Sequence, residues 1–377
     1  MIDIPLNRVV PLGREMDYVR QAVESGFVMG GGPFTERCEK LLQDCLDVPR
    51  ALLTTSCTDA LEMMALLLNL EPGDEVIVPS FTFPSTANAF ALRGCVPVFA
   101  DILPDTLNLD AADVEACITP RTRLIVAMHY AGIPCDMDAL HAISTRHGIP
   151  MVEDNAHGLF GRHDGRPLGS FGSLASLSFH ETKNFSCGEG GALLINDPAL
   201  IERAEIIREK GTNRLQFMRG EVRKYTWVDF GSSYLPSEML AAFLFGQLEA
   251  HALIQERRRH VWNRYRTELG DWARSHEVQL PFVPESAVPA FHLFHLLFPS
   301  PDARLAVETH LRSQGIYAVT HYQPLHLSDM GRRFTGEGRS LPVTESSFNR
   351  LLRLPFYTSL DDSAQDRVIA AVRAFSV

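Results

Sequence analysis

The chain has 377 residues, 45% hydrophobic and 21% charged, an ordinary globular composition long enough for about two domains and a large core. Its net charge of −11 argues against a general nucleic-acid binder, which needs a basic face, but leaves room for a small anionic substrate in a local basic pocket. Seven scattered cysteines with no C-x-x-C pair read as free thiols of a reducing cytosol, and no metal site is expected. His292-x-x-His295 comes nearest to paired ligand spacing, but it lies in an apolar run and reads as structural. With no basic-then-apolar leader and no window near ~18 apolar residues, the chain reads as soluble and cytoplasmic, with no membrane partner.

Phe34, Cys38, Leu41, Leu42 and Cys45 recur at helical spacing. An apolar strand over 50–54 follows, then a helix from about Asp59 with Leu61, Met64, Ala65 and Leu68 on one side. Pro72-Gly73-Asp74 stops that helix, and the alternation continues: strand 75–79, helix 86–93, strand 97–101, short helix 114–118, strand 124–129, helix 137–147, strand 151–154. Such alternation predicts an α/β fold, a mostly parallel sheet with helices on both faces and ligands at the C-terminal strand ends. Ser56, Phe83, His129 and Asp154 all fall at or just past those ends.

Strand-like runs flank a loop over 173–196, and a long helix over 237–269 leads into a smaller α+β unit. That unit shows a strand-like run at 290–298, a helix at 304–313 and a closing helix after Asp362. The expected division is a large α/β domain, 1–250, and a small α+β domain, 251–377.

The chemistry concentrates in two segments. Ser178-Phe179-His180-Glu181-Thr182-Lys183-Asn184 runs into Gly188-Glu189-Gly190-Gly191, and Val152-Glu153-Asp154-Asn155-Ala156-His157 closes an apolar strand. An amine able to form a Schiff base and a carboxylate able to meet a pyridinium nitrogen are the minimum equipment for pyridoxal phosphate (PLP) catalysis. Lys183 alone would read as a surface lysine. Glu153 rivals Asp154, and strand alternation sends the two to opposite faces. Ser56-Cys57-Thr58 opens a predicted helix, where free N–H groups and the dipole favour a phosphate; helix capping by Thr58 or Asp59 is compatible with that role. Ser178 offers a further hydroxyl. Phe83 either stacks on a pyridine ring or packs in the core. His157 either meets the ring's phenolic oxygen or is a satisfied loop histidine.

These runs, together with 54–61, resemble the DegT/DnrJ/EryC1/StrS sugar aminotransferases over essentially the whole chain. The resemblance implies a fold-type I PLP enzyme, a homodimer with shared active sites, a nucleotide-linked keto-sugar substrate and L-glutamate as donor. It implies Lys183 as the Schiff-base lysine and proton shuttle, Asp154 as pyridinium partner and Phe83 as stacking residue. Cys57, Thr58 and Ser178 become phosphate contacts, and Lys210, Tyr322 and His326 are nominated for the sugar nucleotide. Where many relatives carry Gly-Tyr-Asn-Tyr-Arg this chain has Gly231-Ser232-Ser233-Tyr234-Leu235, so Ser233 takes the place of an Asn that reaches the neighbouring subunit's phosphate. Asn155 stands where alanine is common, and His157 where glutamine or histidine is usual.

Segments 52–64, 79–94, 126–137, 201–214, 225–234 and 321–326 are most similar to one branch, the transaminases that make dTDP-4-amino-4,6-dideoxygalactose for enterobacterial common antigen. The expected reaction is therefore amination of dTDP-4-keto-6-deoxy-D-glucose by glutamate. Its rivals are C3 amination, the C4 gluco epimer and, from another class, a non-catalytic PLP-binding regulator. A PLP-dependent sugar dehydratase carries histidine at the lysine position, which Lys183 argues against.

Overall fold

The computed structural model describes residues 2–335 and 338–375. Seven strands form the main sheet: β1 (Arg50–Thr54), β2 (Glu75–Pro79), β3 (Val96–Ala100), β4 (Thr122–Met128), β5 (Met151–Asp154), β6 (Leu174–Ser178) and β7 (Gly191–Ile195), in the order β1-β7-β6-β5-β4-β2-β3. The pairings from β6 to β3 are parallel, and β7 alone runs antiparallel, between β1 and β6. The strands are apolar throughout because both faces are covered. Along β4, Leu124 and Val126 pack with the helix Cys57–Leu67, while Ile125 and Ala127 pack with the helix Met137–His147.

A second core gathers Val261, Trp262, Tyr265 and Leu269 of the helix His251–Ser275, Val368 and Val372 of Asp362–Arg373, and the antiparallel pair His295–Leu297 and Leu351–Arg353. Between those two strands the chain returns to the main sheet. Leu325 N–H donates to Ser80 O (2.9 Å), and the N–H groups of Val343 and Thr344 donate to the Asp101 carboxylate (3.0 and 2.8 Å). That return carries residues 320–322 over the C-terminal strand ends. No helix among the described residues is long and apolar enough to cross a membrane, and all seven cysteines are free.

Two expectations change in detail. The helix over 237–269 is two helices, Glu238–Glu249 and His251–Ser275, broken at Ala250; His251 Nδ1 lies 2.9 Å from Leu248 O, a carbonyl the break exposes. The strand-like run over 290–298 is regular only at His295–Leu297. Phe291 takes a left-handed φ of 53°, and the carbonyls of Phe291 and His292 accept from Arg258 (2.9 and 2.6 Å) rather than from a strand. Periodicity also misses the helix Glu15–Glu24, whose buried face is Glu15, Tyr18 and Ala22, too polar to register.

At the β7 start, Gly191 lies opposite Thr54 and Ser178, and a Cβ there would stand 2.3 Å from Ser56 C and 2.4 Å from Cys57 N. Both neighbours are backbone, so they cannot rotate away. Gly191→Ala should cost about 3 kcal/mol by overpacking, read as a lowered denaturant midpoint. An unchanged midpoint would show that the strand and helix can separate without loss.

Candidate active site

A cavity of about 610 Å³ opens at the C-terminal ends of β1, β2, β4, β5 and β6. Because β7 starts where β6 ends, the twelve-residue connection between Ser178 and Gly191 must project over that edge, and it carries Lys183. Two asparagines pin this loop: Asn7 Nδ2 donates to Glu181 O (2.9 Å), and Asn184 Nδ2 donates to Ala290 O (2.7 Å). Lys183 is half-buried on the cavity wall. Burial lowers its pKa below the ordinary lysine value; Cys57 and Asp154 oppose that shift and Arg353 adds to it. The neutral, nucleophilic amine is thereby favoured.

The helix Cys57–Leu67 points its N-terminus at the same space. Ser56 is its N-cap, accepting from Asp59 N–H at 3.0 Å, so the capping reading of Thr58 and Asp59 gives way to Ser56. Thr58 Oγ1 lies 2.7 Å from Ser85 Oγ, and Cys57, Thr58, Ser85 and Ser178 all line the cavity. Burial pushes the Cys57 thiol up to about 12, so no thiolate competes with an anion there. The result is a short arc of backbone N–H groups and hydroxyls suited to a phosphate.

Strand alternation separates the two carboxylates of β5. Glu153 is fully buried away from the cavity, where it accepts from the N–H groups of Gly169 (2.7 Å), Phe171 (2.6 Å) and Gly172 (2.9 Å) and lies 3.0 Å from His129 Nε2. Asp154 lines the cavity, held by Thr86 Oγ1 (2.7 Å) and Ala156 N–H (3.2 Å), with Thr82 behind Thr86 (2.8 Å). A carboxylate oriented this way can hold a proton on a ring nitrogen.

Aromatic side chains close the space. Phe83 is 57% exposed and lines the cavity, so it is not a core residue. The Tyr322 hydroxyl bonds His157 Nε2 (3.0 Å), His157 stacks on His292 (4.0 Å between centroids), and His321 stacks on Tyr322 (3.7 Å). Asn184 also fixes one tautomer. Its amide nitrogen donates to Ala290, so its Oδ1 must accept from His292 Nδ1–H (2.9 Å), leaving a lone pair on His292 Nε2. Burial lowers the pKa of His157, His292 and His321 well below the ordinary value, and that of His295 to about 4.

Thus Lys183, Asp154, His157, Ser178, Cys57, Thr58, Phe83 and Tyr322 share one cavity. Lys210, Ser233 and His326 do not line it. His326 is buried with Nδ1 2.7 Å from Ser80 Oγ and Nε2 3.2 Å from Glu345 Oε1, fastening the returning segment to β2 instead of facing a ligand. Lys210 and Ser233 are exposed. Sequence reasoning missed His321 and Arg353 as lining residues and read His292 as structural; only the two polar residues beside Tyr322 in His321-Tyr322-Gln323 hinted at the first.

The neutral histidines make the fold acid-labile. Between 6.5 and about 4 the unfolded chain binds a proton at His295 that the folded chain refuses, so stability falls as pH drops through that window. His295 alone removes roughly 2 kcal/mol by pH 5, and His157, His292 and His321 act in the same direction, while His129, raised against its burial to about 10 by Cys135 and Glu153, offsets part of that loss. A urea midpoint clearly lower at pH 5 than at pH 7.5 is expected; equal midpoints would mean that these imidazoles protonate in the folded state.

Residues 12–373 match the model of the DegT/DnrJ/EryC1/StrS aminotransferase family. The spore coat polysaccharide biosynthesis protein SpsC of Bacillus subtilis (strain 168) is 32% identical over 367 residues, 95% of this chain and 93% of SpsC. Among solved structures, DesV of S. venezuelae in complex with a ketimine intermediate superposes with a TM-score of 0.89 at 32% identity, covering 99% of this chain and 98% of that one. Spr1654 of Streptococcus pneumoniae in its PLP form gives 0.89 at 25% identity, covering 99% and 97%. The chain belongs to the DegT/DnrJ/EryC1/StrS aminotransferase family of PLP-dependent sugar aminotransferases.

Proposed function

We propose that the protein transfers the amino group of L-glutamate to C4 of dTDP-4-keto-6-deoxy-D-glucose, giving dTDP-4-amino-4,6-dideoxy-D-galactose and 2-oxoglutarate. The observation that carries the reaction class is a lysine of lowered pKa and a strand-end carboxylate on one cavity beside a helix N-terminus. The choice of sugar rests on the resemblance of segments 201–214, 225–234 and 321–326 to the branch with that product.

This donor set fits PLP. Lys183 would hold it covalently, the arc at Cys57, Thr58 and Ser178 its phosphate, Asp154 its ring nitrogen, Phe83 one ring face and His157 its phenolic oxygen. When bound, PLP supplies an electron sink for the carbon bearing the transferred nitrogen. Lys183 Nζ, neutral, takes the proton from the donor's α-carbon and gives it up again within that half-reaction, and in the second it works in reverse, placing a proton on the sugar's C4. Asp154, oriented by Thr86 Oγ1, would present its carboxyl group to the ring edge, and the Tyr322, His157 and His292 wall limits access of water to the reacting atoms.

The reading includes a homodimer acting in the cytoplasm, each protomer divided near residue 250. Its support is the exposed apolar segment ending at Ser233, where Trp227 is 74% and Phe230 67% exposed, a surface suited to a second copy that would carry Ser233 and Lys210 toward the neighbouring cavity.

Protein, PLP, L-glutamate and dTDP-4-keto-6-deoxyglucose should yield a sugar with nitrogen at C4 and small H3–H4 and H4–H5 couplings by NMR. Large couplings or nitrogen at C3 would reject the galacto product. Lys183→Ala should lower turnover at least about 10³-fold, and normal turnover would reject its role. Asp154→Asn should cost roughly 10²–10³-fold in kcat, measured with saturating PLP; an unchanged kcat would remove Asp154 from the ring.

A further inference from the structure

Arg353 ends the strand Leu351–Arg353 on the cavity wall, in the unit that packs on the far side of the site from the main sheet. Its Nε and Nη2 both donate to the carbonyl of Thr320 (3.2 and 3.1 Å), and its backbone pairs with Val319. The guanidinium is fixed beside His321 and Tyr322, with the Nη1 end unspent. No acidic side chain among the described residues pairs with this half-buried charge. The neighbours offer no anion: Tyr130 and Tyr322 keep their protons because burial raises both, and His157, His292 and His321 stay neutral. Among the described residues Arg353 is therefore the one arginine on the wall, a cation facing the space that Lys183 shares.

We propose that Arg353 anchors a carboxylate of the amino donor, its free guanidinium edge gripping the planar anion while Thr320 O holds the other edge. This deepens the aminotransferase reading and rests on it. A carboxylate matches a single, oriented guanidinium edge in shape and charge. A diphosphate carries two charges along an extended group and calls for several cations, which this wall does not supply. The same anchor serves one half-reaction only, because the keto-sugar brings no carboxylate. Arg353 thus distinguishes donor from acceptor in a site that must admit both in turn.

The test uses PLP-loaded protein and two probes, glutarate for the donor and dTDP for the acceptor, titrated calorimetrically into wild type, Arg353→Gln and Arg353→Lys. Losing a charged bidentate contact should raise the glutarate Kd about 30-fold in Arg353→Gln, less in Arg353→Lys, with dTDP within twofold of wild type in both. The glutamate concentration that half-saturates the change in visible absorbance should rise in parallel, with the limiting rate nearly constant. Weakened dTDP binding with normal glutarate binding would overturn the proposal in favour of a diphosphate contact. Unchanged affinities for both probes would reduce Arg353 to a tie on Thr320. If Arg353→Gln loses its native circular dichroism, the Lys variant decides: glutarate affinity equal to wild type overturns the bidentate anchor. Wild-type absorbance that glutamate leaves unaltered would instead sink the aminotransferase reading itself, and this inference with it.

Discussion

The site depends on one topological constraint, the insertion of a single antiparallel strand into an otherwise parallel sheet. Because β7 runs against β1 and β6, the chain leaving β6 at Ser178 re-enters the sheet at the same edge, at Gly191. The connection cannot cross the sheet as a helix, as the parallel connections do, so it becomes a loop over the C-terminal strand ends. Gly191 completes the arrangement by lacking a Cβ: strand and helix N-terminus approach so closely there that Ser56 and Cys57 backbone atoms occupy the side-chain position. The lysine loop and the helix N-terminus at Cys57 are thus brought together by backbone packing, before any side chain contributes.

The same edge explains how two adjacent acids serve unrelated ends. The period of two along β5 sends Glu153 into the protein, where backbone N–H groups at 169–172 fix the turn that leads into β6. It sends Asp154 into the cavity, where Thr86 leaves it free to face a ligand. A one-residue slip of β5 would exchange both roles, so the register of the central strand is part of the site's chemistry.

What was legible in the chain follows from this. The α/β alternation, the strand ends and the residues on them are local features of sequence, and the pattern Lys183…Gly191 and the Glu153-Asp154 pair could be read there. What was not legible arrives by tertiary return. His292 reaches the cavity only because Phe291 turns through a left-handed φ and Asn184 receives the imidazole; apolar neighbours gave it the look of a core residue. His321 and Arg353 lie 138 and 170 residues beyond Lys183 and meet it through the pairing of Val319 with Arg353. His326 looked like a ligand contact because it is polar in an otherwise apolar stretch, yet Ser80 and Glu345 occupy both its nitrogens. The Glu15–Glu24 helix escaped for another reason: Glu15 approaches Gly246 closely because that residue lacks a side chain, and only Tyr18 and Ala22 are its buried apolar side chains.

The wall opposite the sheet has an electrostatic logic of its own. Three imidazoles and two phenols are held neutral by burial, and their rings stack on one another instead of on charges. In such surroundings the few formal charges act over longer distances than they would in water. An anion at Asp154 and a cation at Arg353 therefore set a direction across the cavity, with Lys183 between opposing influences. Burial weakens that lysine's hold on its proton, while Cys57 and Asp154 oppose the shift. A group suited to accept a proton and give it up again within a single half-reaction is best placed in that balance.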